Sequence, residues 1–224
     1  MYRIHYRFGF VLCLILATIT VTLAAPSGDG GRLFAVILQA AVLVAAVVAS
    51  RAHGAVIALS VAAAVLGIAG SAAALFGSGE FGNGSAAVVA LLYLILTPPV
   101  LVNGVRKQFR EADAVTLQTM FGVLCIYLLI GLLFGVAYAT VDQIGSTPFF
   151  AAPAAHGRDD FLYFSFTTLT TVGYGDLVAG TNLGRSLAIT EALVGQLYLV
   201  TVVAVIISNL EAVRPGQRRK KTAA

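Results

Sequence analysis

Six of the nine residues of "TLTTVGYGD", positions 168–176, are threonine, tyrosine or glycine, and the run ends in an aspartate and interrupts a chain that is otherwise oily. Gly173 and Gly175 are spaced by one residue, and glycine adopts positive φ without a Cβ penalty. A backbone that alternates between two conformations through Thr171, Val172, Gly173, Tyr174 and Gly175 turns successive carbonyl oxygens to one side. A row of such oxygens replaces the water shell of a bare cation. That chemistry is coordination by backbone, with no bond made or broken. The residues ahead, "RDDFLYFSFTTLTT", predict a short helix with Asp159 or Asp160 as N-cap. Ten to twelve residues cannot cross a bilayer, so the expectation is a re-entrant half-helix. Its carbonyl end points inward, a favourable place for a cation.

The elements that must position this run are apolar. The 224 residues are 59% hydrophobic and 11% charged, against about 25% charged in soluble domains, and the mean hydropathy is +0.93. Six stretches approach the roughly 20 residues that span a hydrocarbon core: 8–25, 33–50, 54–76, 85–105, 119–141 and 187–210. Backbone groups in lipid must be satisfied internally, so these are helices. The expected fold class is an all-α membrane protein of six transmembrane helices. Residues 1–105 form a four-helix N-terminal domain and 106–118 an interfacial linker helix. Residues 119–210 form a domain of outer helix, short helix, polar loop and inner helix, and 211–224 a short basic tail. Non-helical backbone at membrane depth survives only when buried in protein or lining a wet path, which suits "TVGYG" between spans five and six.

Cation placement sets the orientation. With the N-terminus cytoplasmic, eleven of the fourteen Lys and Arg residues lie inside and three, Arg32, Arg158 and Arg185, outside. Both termini are then cytoplasmic and the polar run faces out. The basic head and apolar body of residues 1–25 also fit a cleaved signal peptide, although the body exceeds the usual 7–15 residues. Cys13 and Cys125 lie deep in apolar runs and read as core residues.

The run "TTVGYGD" resembles the signature of potassium channels, with agreement over seven consecutive residues, a preceding half-helix and two flanking spans, about residues 119–210. It is similar to the six-span, single-loop type, and the Ala-rich composition and short loops suggest a prokaryotic plasma membrane. The resemblance implies that the carbonyls of Thr171, Val172, Gly173 and Tyr174, with the Thr171 hydroxyl, coordinate dehydrated potassium. It implies that Tyr174 braces the filter, completed by Gly175, and that Asp176 concentrates cations at the outer mouth. One chain supplies one loop and such a filter uses four, so a homotetramer is implied. Tryptophans common in the family's half-helix are missing; Tyr163 stands there and is expected to hydrogen-bond Asp176. The usual proline after the signature is absent from "DLVAGTN".

Glu191 is the only carboxylate well inside a predicted span, and an ionisable group there is costly and a functional candidate. It is expected behind the filter, bonded to half-helix hydroxyls such as Thr167 or Thr168, or else at a frayed helix start. Gly195 reads as a gating hinge or as a site of close helix packing. Span four lacks the regular arginines of a voltage sensor, so weak or no voltage dependence is expected. No nucleophile–base pair, phosphate loop or metal cluster supports an enzyme, and the permeant potassium ion is the only cofactor-like species. Expected partners are further copies of the chain and membrane lipid, with anionic lipid at the basic tail, and no nucleic acid. Two alternatives stay open: a cation channel of relaxed selectivity, and a non-conducting sensor or scaffold that keeps the pore fold.

Overall fold

The computed structural model describes residues 7–24, 29–50, 99–107, 117–152 and 156–212, with scattered helical residues at 54–69 and 95–97. Among the described residues the helices with defined bounds are, in chain order, α1 (Arg7–Ala24), α2 (Asp29–Ala49), α3 (Leu117–Ile144), α4 (Arg158–Leu169) and α5 (Asn182–Ala212); residues 99–107 are helical as well. No strand occurs among the described residues; an isolated antiparallel bridge pairs Phe150 with Ala179. Most of spans three and four, most of the linker helix 106–118 and all but the first residues of the tail 211–224 lie outside the described residues.

Among the described residues one helix, α3, is long and apolar enough to cross a membrane by length and composition. Phe8–Ala24 and Phe34–Ala49 are shorter apolar helices. They are helical because long apolar runs carry no proline and little glycine. α3 is the hub: α1, α4 and α5 all pack on it, and α2 packs on α1. The larger core joins Phe8, Val11 and Ile15 of α1 to Val42 and Ala46 of α2, to Leu101 and Val105, and to Cys125, Leu129 and Leu132 of α3. Cys125 is buried as expected, whereas Cys13 is exposed on the opposite side of α1. The expectation missed this because an apolar run alone does not say which side of its helix meets protein.

A second core is aromatic. Tyr138, Phe149, Phe150, Phe161 and Phe164 pack together beside Ala179. Phe149 is its centre, with ring centroids 5.0 Å from Tyr138 and 5.1 Å from Phe150. This cluster joins the end of α3, the loop that follows, α4 and the segment after the polar run. Phenylalanine and tyrosine thus fill the region where the resemblance led us to look for tryptophan. The loops are tied together by Ala151 N–H donating to Val178 O at 2.9 Å and Gly180 N–H donating to Phe149 O at 2.8 Å. Asp142 Oδ1 accepts the Phe149 N–H at 2.8 Å and anchors the loop to α3.

Candidate functional site: the 171–176 loop and its supports

α4 spans 12 residues, and its N-cap is Gly157, not Asp159 or Asp160. Asp160, third in the helix, instead reaches back: its Oδ2 accepts the Gly157 N–H at 3.2 Å and lies 3.0 Å from His156 Nδ1. A carboxylate in the first turn satisfies donors that the helix leaves free and complements the dipole. At the other end the chain turns over the last carbonyls. Thr170 and Thr171 donate N–H to Phe166 O and Thr168 O, both at 3.0 Å. Val172 and Gly173 both donate to Thr167 O, at 2.9 and 3.1 Å. The loop is therefore fixed at its root to the carbonyl end of α4.

Beyond that root the backbone alternates. Thr171, Gly173 and Gly175 have φ of 59°, 51° and 82°, while Val172 and Tyr174 between them do not take positive φ. For glycine this conformation is free of strain; for a β-branched threonine it is an outlier that the surroundings must hold. The Thr171 hydroxyl accepts a hydrogen bond from Gln196 Nε2 of α5 at 3.3 Å. Residues 171–176 are all exposed on the single chain, with Val172 at 52% and Tyr174 at 72%. A Cβ built on Gly173 or Gly175 would meet nothing within 4 Å.

Behind this exposed face the supports are dense. Tyr174 and Tyr163 stack nearly parallel, centroids 6.3 Å apart and planes 4° apart. Desolvation, then a hydrogen bond to Asp176, raises the Tyr163 hydroxyl above the ordinary tyrosine pKa. Glu191 is fully buried, but its partners differ from those expected. Oε1 lies 2.5 Å from Ser165 Oγ and Oε2 lies 2.5 Å from the Tyr138 hydroxyl. The Thr167 hydroxyl instead donates to Phe164 O at 3.0 Å, within its own helix. Ser165 and Thr167 differ by two residues, about 200° around a helix, so only one of them can face α5 from that level.

Gly195 lies in α5 where the helix passes the end of α4. A Cβ there would stand 2.7 Å from Leu169 O and 2.8 Å from Leu169 Cδ1. Close approach accounts for the glycine at this position, and α5 runs through it unbroken. Sequence reasoning missed Ser165, Tyr138 and Gln196 as supports, and also Tyr127 and Tyr198. The Tyr127 hydroxyl donates to Leu169 O at 3.3 Å, and the Tyr198 hydroxyl donates to Val123 O at 2.6 Å. A tyrosine inside an apolar span was the available signal, since a buried phenol nearly always finds a partner.

Comparison with known proteins points the same way. The family described as "Ion channel" matches residues 122–212. Protein LctB of Bacillus caldotenax is 34% identical over 100 residues, covering 42% of this chain and 74% of LctB. Two pore potassium channel a of Oryza sativa subsp. japonica is 36% identical over 88 residues. That match covers 39% of this chain and 22% of the rice protein. No solved structure matches the chain. The family match takes in α4, the alternating loop and both flanking helices, and with the LctB match it shows that the chain belongs to the ion-channel family.

Proposed function

We propose that the protein is a homotetrameric, potassium-selective channel that passes ions passively across a cell membrane. The observation that carries this reading is the alternation of left-handed φ at Thr171, Gly173 and Gly175. Alternation turns the carbonyls of Thr171, Val172, Gly173 and Tyr174 to one side, where copies of the same row around a shared axis replace the hydration shell of potassium. The carbonyl end of α4 adds a favourable dipole beneath the loop. Copies of the chain have a surface to meet: Val172 and Tyr174 are exposed, and so are Ile189, Leu193, Leu197 and Val200 along α5. These four recur at helical spacing and form an apolar stripe that a soluble monomer would not leave bare.

In this reading residues 119–210 are the pore domain, with α3 outer, α4 as pore helix and α5 lining the inner cavity. Residues 1–105 complete six spans without voltage-sensor arginines, so conduction depends weakly or not at all on voltage. Both termini are cytoplasmic, the basic tail meets anionic lipid, and conduction needs no cofactor beyond the permeant ion. Asp176 stands at the outer mouth and Tyr163 braces the filter through Tyr174 and Asp176.

The test is potassium flux from liposomes that contain only the purified protein. Flux is expected, with a reversal potential in mixed potassium and sodium that follows potassium. A reversal potential indifferent to the two cations would make it a channel of relaxed selectivity. Absence of flux from assembled protein would leave a pore fold used as a sensor or scaffold.

A further inference from the structure

Three oxygen-to-oxygen contacts meet behind the filter. Glu191 Oε1 lies 2.5 Å from Ser165 Oγ, and Glu191 Oε2 lies 2.5 Å from the Tyr138 hydroxyl. Ser165 Oγ also lies 2.7 Å from the carbonyl oxygen of Gly131 in α3. Each contact needs one proton between its oxygens. The Tyr138 hydroxyl supplies one and the Ser165 hydroxyl one, while the Gly131 carbonyl has none to give. If Glu191 is ionised, the serine proton serves either Gly131 or Glu191, and the other pair faces without hydrogen. The carboxylate would also be fully buried against neutral hydroxyls, an arrangement whose desolvation cost is large. Addition of further copies can only bury it more.

We propose that Glu191 carries a proton on Oε1 and forms a buried proton-binding site behind the filter. Glu191 Oε1–H donates to Ser165 Oγ, Ser165 Oγ–H donates to Gly131 O, and the Tyr138 O–H donates to Glu191 Oε2. One proton thereby links α3, α4 and α5. Its release to water leaves a carboxylate that captures the serine proton, and the Ser165–Gly131 bond is lost. Ser165 is two residues before Thr167, whose carbonyl holds Val172 N–H and Gly173 N–H, so loosening it reaches the root of the filter.

Among the described residues the ionisable groups near the cluster are few, and they include Arg158, seven residues before Ser165 on α4 and beside Gly135 and Leu162. From α3 they are Tyr138 and, further along, Tyr127, whose hydroxyl is on Leu169 O. On α4, Tyr163 is engaged with Asp176 and Asp160 with Gly157 and His156. Arg185 of α5 directs its Nε to Ala179 O at 3.1 Å. Past its first residue, α1 carries no ionisable side chain except Cys13, which is exposed.

The effect on conduction rests on the channel reading, but the proton itself does not, and the experiment separates them. Infrared spectra are taken of the full-length protein in liposomes with isotope-labelled glutamate carboxyl groups. At neutral pH a carboxylic-acid carbonyl band is expected that disappears in Glu191→Gln and shifts in Ser165→Ala and Tyr138→Phe. The two latter variants read the band without touching Glu191, so a Glu191→Gln protein that fails to assemble does not end the test. A folded wild type whose labelled intensity lies wholly in carboxylate bands at neutral pH overturns the proposal. Raising the pH until the acid band is lost is expected to reduce wild-type potassium flux several-fold and to leave Glu191→Gln flux flat. A band lost with flux unchanged overturns the coupling to the filter. Wild-type liposomes with the band and no flux would sink the channel reading and leave the proton site standing.

Discussion

The loop at 171–176 has a back and a front, and the two are built oppositely. At the back, α4 is wedged between α3 and α5 by Ser165, Leu169 and a cluster of five aromatic side chains. At the front, the same loop is bare: Val172 and Tyr174 are exposed, and a Cβ on either glycine meets open space. The difference teaches that the loop's position is supplied within one chain, while its exposed front is left for the further copies that the proposed function requires.

The comparison breaks most sharply at Gly175. Its φ of 82° is one that side-chain-bearing residues resist, at a cost of about 1–2 kcal/mol. Gly175→Ala is expected to abolish potassium flux while the single-chain fold, read by circular dichroism, persists. Flux at the wild-type level would show that the left-handed turn is dispensable. The converse is expected at the back. Phe149→Ala removes the centre of the aromatic cluster, at a cost of about 3–5 kcal/mol. The midpoint of thermal unfolding in detergent should fall, and with it the fraction assembled. An unchanged midpoint would mean that the cluster does not hold the loop.

A smaller effect is expected at Gly195, where an added methyl meets the Leu169 carbonyl at 2.7 Å. Overpacking of this kind costs about 1–3 kcal/mol. Gly195→Ala should lower thermal stability, and wild-type stability with altered opening would instead favour a hinge. The mildest change is Tyr163→Phe, which deletes one hydroxyl and keeps the ring stacked on Tyr174. Flux should start normally and decline faster during sustained activity. Unaltered decline would remove Tyr163 from the bracing of the filter.

Much of this was legible in the residues because it is local. "TVGYG" announces its backbone since only glycine takes positive φ freely, and a 12-residue helix before it is too short to cross a bilayer. What was not legible is pairing across helices. The sequence places Glu191 behind the loop on a hydroxyl of the short helix such as Thr167 or Thr168, yet the hydroxyl is Ser165, chosen by the rotation of α4 against α5. Asp160 caps its helix from the third position, because the chain enters at Gly157. Cys13 looked like Cys125 in sequence and faces outward, because α1 is apolar all round and only packing selects its inner side.

The sequence by itself determined that the chain is made of apolar helices, that one polar loop interrupts them, and that this loop's backbone alternates. Those properties follow from hydropathy and from the missing Cβ of glycine, which act over a few neighbouring residues. Only the tertiary structure decided which side chains stand behind the loop. Ser165, Tyr138 and Glu191 are far apart in the chain and come within hydrogen-bond reach through the mutual rotation of three packed helices, a quantity that no local pattern encodes.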